Sequence, residues 1–227
     1  MLFRSHHFGP DRFGHHRDAR ICFDSISKEI IQPLKIIYNA VDTYLVTFPS
    51  PITEQILRFF NPKKYFIDDH GMLRSQKVTM LKGLDLFEEE YDRYFIFRFD
   101  LNYKKPIDKW KIWSDKGIYL PWREYYHLWR QHNRVGDMLH ITDYLEKFRL
   151  AIKMDDGRSH TFHHIYNHID SDFVRFICDG FYDSDTSKHC HESLNPLYYL
   201  LHRPYHFGDV SKQIPEIKEM PPRKLLF

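Results

Sequence analysis

The stretch "RYFIFRFDLNY", residues Arg93–Tyr103, decides the expected fold class because it carries the clearest strand pattern in the chain. Apolar or aromatic residues occupy every second position from Phe95 to Tyr103. Such period-two alternation is typical of a β-strand, whose successive side chains point to opposite faces. The pattern predicts a strand with its aromatic residues on one face.

The residues before this strand show helical and turn patterns. Apolar positions three to four apart predict a helix over residues 25–48, kinked near Pro33, and "SPITEQILRFFNP" predicts a second helix that begins after Ser50 and stops at Asn61-Pro62. In "KYFIDDHGMLRS" a turn cluster separates two short apolar runs, which predicts a β-hairpin over residues 64–75.

The residues after the strand indicate more hairpins and short helices. Pro121 opens a predicted helix that extends to Asn133. Hairpins are predicted around Asp155-Asp156-Gly157 and around Asp179-Gly180. A helix capped by Thr142 or Asp143 is an alternative prediction for the residues at the start of the first segment. A last helix is predicted over residues 195–202. Together these elements predict an α+β fold of antiparallel hairpins with segregated helices.

The ends of the chain differ from its middle in composition. Residues 1–20 are basic, rich in histidine and broken by glycine and proline, which predicts a flexible N-terminal arm. Residues 21–207 are then a single α+β domain. Residues 208–227 contain three prolines and predict an extended C-terminal tail.

Composition limits the class of protein. With 42% hydrophobic residues, a mean hydropathy of −0.56 and no long apolar run, the chain has no membrane-spanning pattern, so we expect no membrane contact. Three cysteines without CxxC spacing favour a reducing, cytoplasmic location. A net charge of +2 excludes a strongly basic DNA-coating protein. Abundant aromatics with only three alanines indicate AT-rich codons and hence a viral or phage source.

All four tryptophans lie in one basic segment, residues 103–134, which we call the basic-aromatic segment. Cations that neutralise phosphates, interleaved with rings on which bases stack, are typical of nucleic-acid sites. The same composition also suits an ordinary core with a solvated face, or the hot spots of a protein interface. The candidate nucleic-acid-binding residues are Lys104, Lys105, Lys109, Trp110, Lys111, Trp113, Lys116, Trp122, Arg123, Arg130 and Arg134.

A histidine-rich region offers the ligand types that zinc takes. On a helix, His160, His164 and His168 would share one face, so their spacing permits a site, although no HExxH or CxxC pair is present. We expect no cofactor. The residues of this alternative metal site are His160, His164, His168, His189, Cys190 and His191.

These observations predict a non-enzymatic intracellular binding protein that engages structured RNA or a ribonucleoprotein such as the ribosome. The absence of a catalytic signature favours a binding protein over an enzyme. One alternative is a protein–protein interaction role, as an assembly component or an inhibitor of a host factor. A second alternative is a metal-dependent hydrolase that uses the His and Asp cluster of residues 160–191.

Overall fold

A computed structural model describes residues 1–4, 8–10, 16–69, 75–125, 134–136, 138–155, 163–177, 181–183 and 198–200. The strands are β1 Leu2–Arg4, β2 Phe8–Pro10, β3 His16–Asp18, β4 Tyr44–Thr47, β5 Lys64–Ile67, β6 Tyr94–Arg98, β7 Leu101–Tyr103, β8 Ile118–Leu120, β9 Arg123–Tyr125, β10 Arg134–Val135, β11 Leu139–Thr142, β12 Val174–Phe176, β13 Phe181–Asp183 and β14 Tyr198–Leu200. The α-helices are α1 Phe23–Ile26, α2 Gln32–Ile37, α3 Thr53–Phe60, α4 Gln76–Leu84 and α5 Leu145–Met154.

A seven-stranded mixed sheet forms the centre, with the strand order β12-β8-β11-β6-β1-β4-β5. β1 pairs in parallel with β4 and with β6, β4 pairs in parallel with β5, and β8 pairs in parallel with β12. Only β11 runs against its neighbours β6 and β8. Parallel neighbours need crossover connections, and helices provide them here. The described residues therefore form a Rossmann-like α/β fold.

Both faces of the sheet are covered, and each has its own apolar core. Phe3 and Phe97 face one side, where they pack in a cluster with residues of α1, α2 and α3. Leu2 and Ile96, their immediate neighbours along β1 and β6, face the other side and pack with residues of α4 and α5. Strands buried on both faces have apolar residues at successive positions. This explains why "LF" in β1 and "YFIF" in β6 are continuous apolar runs.

Local signals set the bounds of the helices on each face. Ser75 caps α4, because its Oγ accepts a hydrogen bond from the Val78 amide at 3.1 Å. Asn61 ends α3 in the left-handed region at φ 41°, a conformation that asparagine tolerates better than most residues. α1 and α2 are joined by a π-helical turn, Ser27–Ile31.

The predicted α+β class with segregated helices is wrong. The central sheet is mostly parallel with helices between its strands and is not built from antiparallel hairpins. The misleading pattern was the alternation in residues 93–103, which was interpreted as one face of a strand although both faces of β6 are buried. The predicted flexible arm is also wrong for Leu2–Arg4, which form the central strand β1, and the predicted tail lies outside the described residues.

Several individual elements differ from their prediction. The predicted helix over residues 25–48 ends at Ile37, and β4 follows it. Residues 64–67 form β5, which pairs in parallel with β4 rather than in a hairpin. The first arm of the hairpin predicted around Asp155 lies in the helix α5, the region after Pro121 contains β9, and the predicted last helix contains β14. The helix predicted after Ser50 is confirmed as α3.

Candidate functional site

The sheet has a topological switch point between β1 and β6. From β1 the chain builds outward through β4 to β5, with α1, α2 and α3 on one face. It then passes α4 on the opposite face and returns to β6 on the other side of β1. In open α/β sheets, ligands bind in the crevice outside the carboxyl ends of the strands at such a point. The carboxyl ends of β1 and β6 therefore locate the candidate site.

Two arginines end these two strands side by side. Arg4 is the last residue of β1, Arg98 is the last residue of β6, and the two are partners in the parallel register. Adjacent strands lie roughly 4.8 Å apart, so both side chains leave the same face of the sheet at close range. Arg4 is 4% exposed and Arg98 is 9% exposed. Guanidinium groups at the ends of neighbouring strands are of the kind that bind phosphate and carboxylate groups.

Asp100 holds the Arg98 guanidinium in a two-point ion pair. Arg98 Nε donates to Asp100 Oδ1 at 2.9 Å, and Arg98 Nη2 donates to Oδ2 at 2.6 Å. Arg98 Nη1 also lies 3.2 Å from the Met138 sulfur on the segment that precedes β11. Both oxygens of Asp100 are thus bonded to a cation that belongs to the protein. Among the described residues no group of three His, Cys, Asp or Glu side chains could hold a metal ion.

Tyr103 and Cys22 belong to the same charged neighbourhood. The Tyr103 hydroxyl donates to the Arg98 carbonyl oxygen at 3.2 Å. Burial raises the pKa of Tyr103 well above its usual value, and the charges of Arg98 and Arg4 oppose this effect. Burial also raises the pKa of the Cys22 thiol, with a further contribution from the Asp100 carboxylate. Both groups are therefore neutral at physiological pH and lie close enough to Asp100 to respond to its charge.

A further carboxylate lies at the same edge. Asp68 follows β5, is 2% exposed, and its amide donates to the Thr47 carbonyl at the end of β4 at 2.9 Å. Asn102 lies in the middle of β7, which pairs with β14 outside the central sheet, and is half-buried. The carboxyl edge of the sheet therefore combines guanidinium and carboxylate groups. Residues 5–7 and 70–74, which follow β1 and β5, lie outside the described residues.

A described pocket on the opposite, amino edge of the sheet is a weaker candidate. It is lined by residues that include Tyr38, Asp42, Tyr91 and Arg93, and it adjoins two open grooves of about 410 and 620 Å³ that share some of these residues. Its polar groups pair with one another, since Tyr91 Oη donates to Asp42 Oδ2 at 2.6 Å. We therefore place the candidate site at the carboxyl edge.

The structure places the tryptophans of the basic-aromatic segment mainly in the core. Trp110 is 4% exposed and Trp122 is 2% exposed. Trp113 is half-buried, and its indole donates to the Ile107 carbonyl at 3.1 Å. These rings fill the core, which was the structural alternative for the segment. Trp129 lies outside the described residues.

The described cations of this segment are lysines between β7 and β8. Lys105, Lys109, Lys111 and Lys116 are exposed on the loops between β7 and β8. Lys104 is half-buried, and loss of hydration lowers its pKa to about 8. Arg123 begins β9 and Arg134 begins β10, and their side chains are not described. Arg130 lies outside the described residues.

The histidine-rich region stays an untested prediction. His164 and His168 are half-buried near a short 3₁₀ turn, Ile165–His168. The other members of the predicted metal set lie outside the described residues, namely His160, His189, Cys190 and His191.

Sequence reasoning missed the residues of the carboxyl edge although a signal was present. The apolar run "YFIF" is followed at once by Arg98, Asp100 and Asn102, which is typical of a buried strand that ends at a ligand site. These residues were interpreted as the polar face of a half-buried strand. Arg4 was assigned to the predicted arm, because a strand of three residues has too few positions to show a period.

No protein-family model matches the sequence, and no curated protein matches it significantly. Among solved structures, a nucleoside-diphosphate-sugar pyrophosphorylase from Vibrio cholerae is similar with a TM-score of 0.49 and 13% identity, covering 94% of this chain and 100% of that one. A galactosyltransferase, LgtC, crystallised with donor and acceptor sugar analogs, is similar with a TM-score of 0.42 and 12% identity, covering 77% of this chain and 72% of that one.

The predicted function is corrected by the burial of its tryptophans. Trp110 and Trp122 are buried and cannot stack on bases, so the composition that indicated RNA is explained by the core. The prediction of a non-enzymatic binding protein for RNA or a ribosome is therefore wrong. The described helices include none long and apolar enough to cross a membrane.

Proposed function

We propose that this protein is a transferase that acts on a nucleoside diphosphate sugar bound at the carboxyl edge of the sheet, between β1 and β6. The observation that carries the proposal is the in-register pair Arg4 and Arg98, with Asp100 beside it, at the topological switch point. This edge is where an open α/β sheet binds its ligand.

The two guanidinium groups suit the diphosphate. Guanidinium is planar, keeps its charge at every physiological pH and matches phosphate oxygens in a two-point geometry. Arg4 and Arg98 present two such groups from neighbouring strands. A ligand with two linked phosphates can engage both at once.

The carboxylate and amide groups suit the hydroxyl-rich parts of the same ligand. Carboxylate and amide oxygens accept hydrogen bonds from hydroxyl groups, and an amide nitrogen also donates. Asp68 supplies a carboxylate at the same edge as the arginines, and Asn102 supplies an amide two positions after Asp100. A nucleoside diphosphate sugar carries phosphates and hydroxyls in one molecule, and therefore fits a mixed set better than an inorganic anion does.

The arginines would also assist the reaction. In glycosyl transfer the bond between the anomeric carbon and the diphosphate oxygen breaks, the acceptor oxygen bonds to that carbon, and the acceptor proton passes to solvent or a base. The nucleoside diphosphate then leaves with an additional negative charge. Fixed positive groups in a site of low exposure stabilise charge that develops on a leaving group. Arg4 and Arg98 are placed for that role.

The test is ligand binding followed by turnover. The melting temperature of the purified chain is measured with uridine, guanosine, adenosine and thymidine diphosphate sugars, each beside its free nucleoside monophosphate. We expect one nucleobase series to stabilise the protein, and we expect Arg4→Gln to weaken that series. Release of nucleoside diphosphate from the bound donor, followed by mass spectrometry, then establishes transferase or hydrolase turnover.

The matched control is Arg58→Gln, because Arg58 lies on α3 with an exposed side chain paired to Glu54. This variant should bind the donor like the wild type. The proposal is overturned if no nucleoside diphosphate sugar stabilises the folded protein, or if Arg58→Gln weakens binding as much as Arg4→Gln.

A further inference from the structure

We propose that residues 220–227, "MPPRKLLF", dock on an acidic and apolar groove at the amino edge of the sheet, which we call the amino-edge groove. The groove lies between the end of α2 and the segment before β6, and it is lined by residues 37–40 and 90–92. This inference is independent of the proposed function, because the groove is at the edge of the sheet opposite to the candidate site.

The amino-edge groove is wide enough for the side chains of a peptide, and its walls are fixed. Its volume is about 620 Å³, and ligand pockets usually have about 300–1,000 Å³. Tyr91 is held in place because its hydroxyl donates to Asp42 Oδ2 at 2.6 Å. The Tyr38 ring packs edge-on against Phe95, with the ring centroids 5.9 Å apart. A surface that is already ordered loses little freedom when a segment binds to it.

One side of the groove is apolar and exposed. Ile36 is 85% exposed and Ile37 is 42% exposed at the end of α2. Apolar side chains that are gathered beside a groove, rather than scattered singly, mark a surface that another segment covers. Covering the two isoleucines is favourable because it removes their apolar area from water.

The other side of the groove carries two carboxylates. Glu90 and Asp92 are exposed, and among the described residues neither has an ion-pair partner. The neighbouring Glu89 is instead paired with Lys63 at 2.8 Å. Burial raises the pKa of Tyr38, and the charge of Asp92 is among those that raise it further, which places this carboxylate close to the Tyr38 wall. The groove therefore combines two negative charges with an apolar surface.

Residues 220–227 have the complementary composition. Pro221 and Pro222 favour an extended backbone, Arg223 and Lys224 are adjacent cations, and the apolar run "LLF" follows them. This segment contains no acidic residue, whereas residues 208–219 contain three. The two cations match the carboxylates of the groove, and the apolar run matches its isoleucines.

The chain is long enough to bring this segment to the groove. β14 ends at Leu200, which pairs with Leu101 of β7. Leu101 and Tyr38 pack in the same apolar cluster, on the α2 side of the sheet. Residues 201–219 lie outside the described residues and can span more than about 50 Å when extended, while a chain of this length folds to a diameter of roughly 45 Å.

The first experiment treats the full chain with a carbodiimide, which joins a lysine amine directly to a carboxylate that it contacts. Mass spectrometry of the monomer fraction should find Lys224 joined to Glu90 or Asp92, and the control lysine Lys212 should not be joined to them. Joining that occurs only in a dimer fraction would assign the segment to a second copy and overturn the proposal. Lys224 that is joined only to other carboxylates, or to none, would also overturn it.

The second experiment reverses the charges and then exchanges them. Hydroxyl-radical footprinting measures the oxidation rate of Ile36 and Ile37, which rises when their side chains are uncovered. The variant Glu90→Lys/Asp92→Lys should oxidise there severalfold faster than the wild type, because like charges then repel the segment. Adding Arg223→Glu/Lys224→Glu to that variant should restore the wild-type rate.

The matched control for the charge reversal is Glu54→Lys, because Glu54 is exposed on α3. It should leave the oxidation rate of Ile36 and Ile37 unchanged. Equal rates in the wild type and in Glu90→Lys/Asp92→Lys, or no recovery when the charges are exchanged, would contradict docking on this groove.

Discussion

Arg98 and Asp100 form a two-point ion pair at the end of β6, with Arg98 Nη2 2.6 Å from Asp100 Oδ2 and Arg98 Nε 2.9 Å from Oδ1. The pair lies at the point where the sheet changes direction, beside Arg4 of the neighbouring strand. A buried ion pair adds little net stability, but removing one partner is costly because the other charge stays buried without it. Comparing the removal of one partner with the replacement of both therefore tests how the pair is packed.

Asp100→Ala should lower the free energy of unfolding by about 3–5 kcal/mol, because it leaves the Arg98 charge buried without its carboxylate. The double variant Arg98→Met/Asp100→Leu should recover most of that loss, since two apolar side chains replace both charges. Urea unfolding of the three proteins measures both effects. A loss below about 1 kcal/mol in Asp100→Ala would indicate that the pair is solvated, as exposed pairs are.

Arg93→Lys should destabilise the protein by about 2–3 kcal/mol, because several charge-assisted hydrogen bonds depend on the guanidinium fork. Arg93 donates to both oxygens of Asp143 and to the carbonyls of Ile112 and Asp115, which ties the loop before β8 to the sheet. Lysine keeps the charge and cannot reach these acceptors together. Chemical denaturation measures the change.

The control for this substitution is Arg58→Lys on α3, whose Glu54 partner is exposed. It should leave the unfolding midpoint unchanged, because exposed pairs contribute little. Equal effects of the two lysine substitutions would mean that the loop contacts of Arg93 add nothing to stability.

Gly83→Ala should destabilise the protein by about 1–3 kcal/mol through overpacking. A Cβ atom added to Gly83 would lie 2.5 Å from Leu2 Cδ2, where α4 crosses β1. The sign of the change in stability is informative, because alanine stabilises an exposed helix by about 1 kcal/mol relative to glycine. Thermal unfolding decides it, with Val78→Ala at an exposed position of α4 as the control. A more stable Gly83→Ala protein would mean that α4 and β1 are not in close contact.

Stability should rise with pH across the alkaline range because of Lys104. Loss of hydration lowers its pKa from 10.5 to about 8 in the folded state. Between these values the unfolded chain binds more protons than the folded chain, so the free energy of unfolding increases as the pH rises from about 8 to 10.5. Lys104→Met should be more stable than the wild type below pH 8 and should lose this part of the slope.

Denaturant unfolding at pH 7.5 and pH 9.5 measures the slope, with the exposed neighbour Lys105→Met as the control. A slope that is unchanged in Lys104→Met, or that is lost in Lys105→Met, would contradict the assignment to Lys104.

Prediction from sequence succeeded where a segment carried its own pattern over many residues. The helix α3 has apolar spacing, a proline at its start and Asn61-Pro62 at its end, and the strand pattern of residues 94–98 is confirmed as β6. Prediction failed where packing against other parts of the chain decided the secondary structure. Residues 145–154 have charged and apolar positions that suit a hairpin or a helix, and packing of Phe148 and Ile152 against the sheet selects the helix α5.

The sequence by itself determined the strand at β6, the helix at α3 and the absence of a spanning pattern, because each depends on neighbours along the chain. Only the tertiary structure decided that Leu2–Arg4 is the central strand and that Arg4 lies beside Arg98, more than ninety positions later. A strand of three residues is too short to show a period, and its place follows from the apolar faces of β4, β6 and α4 that it buries. The candidate site exists through that long-range pairing.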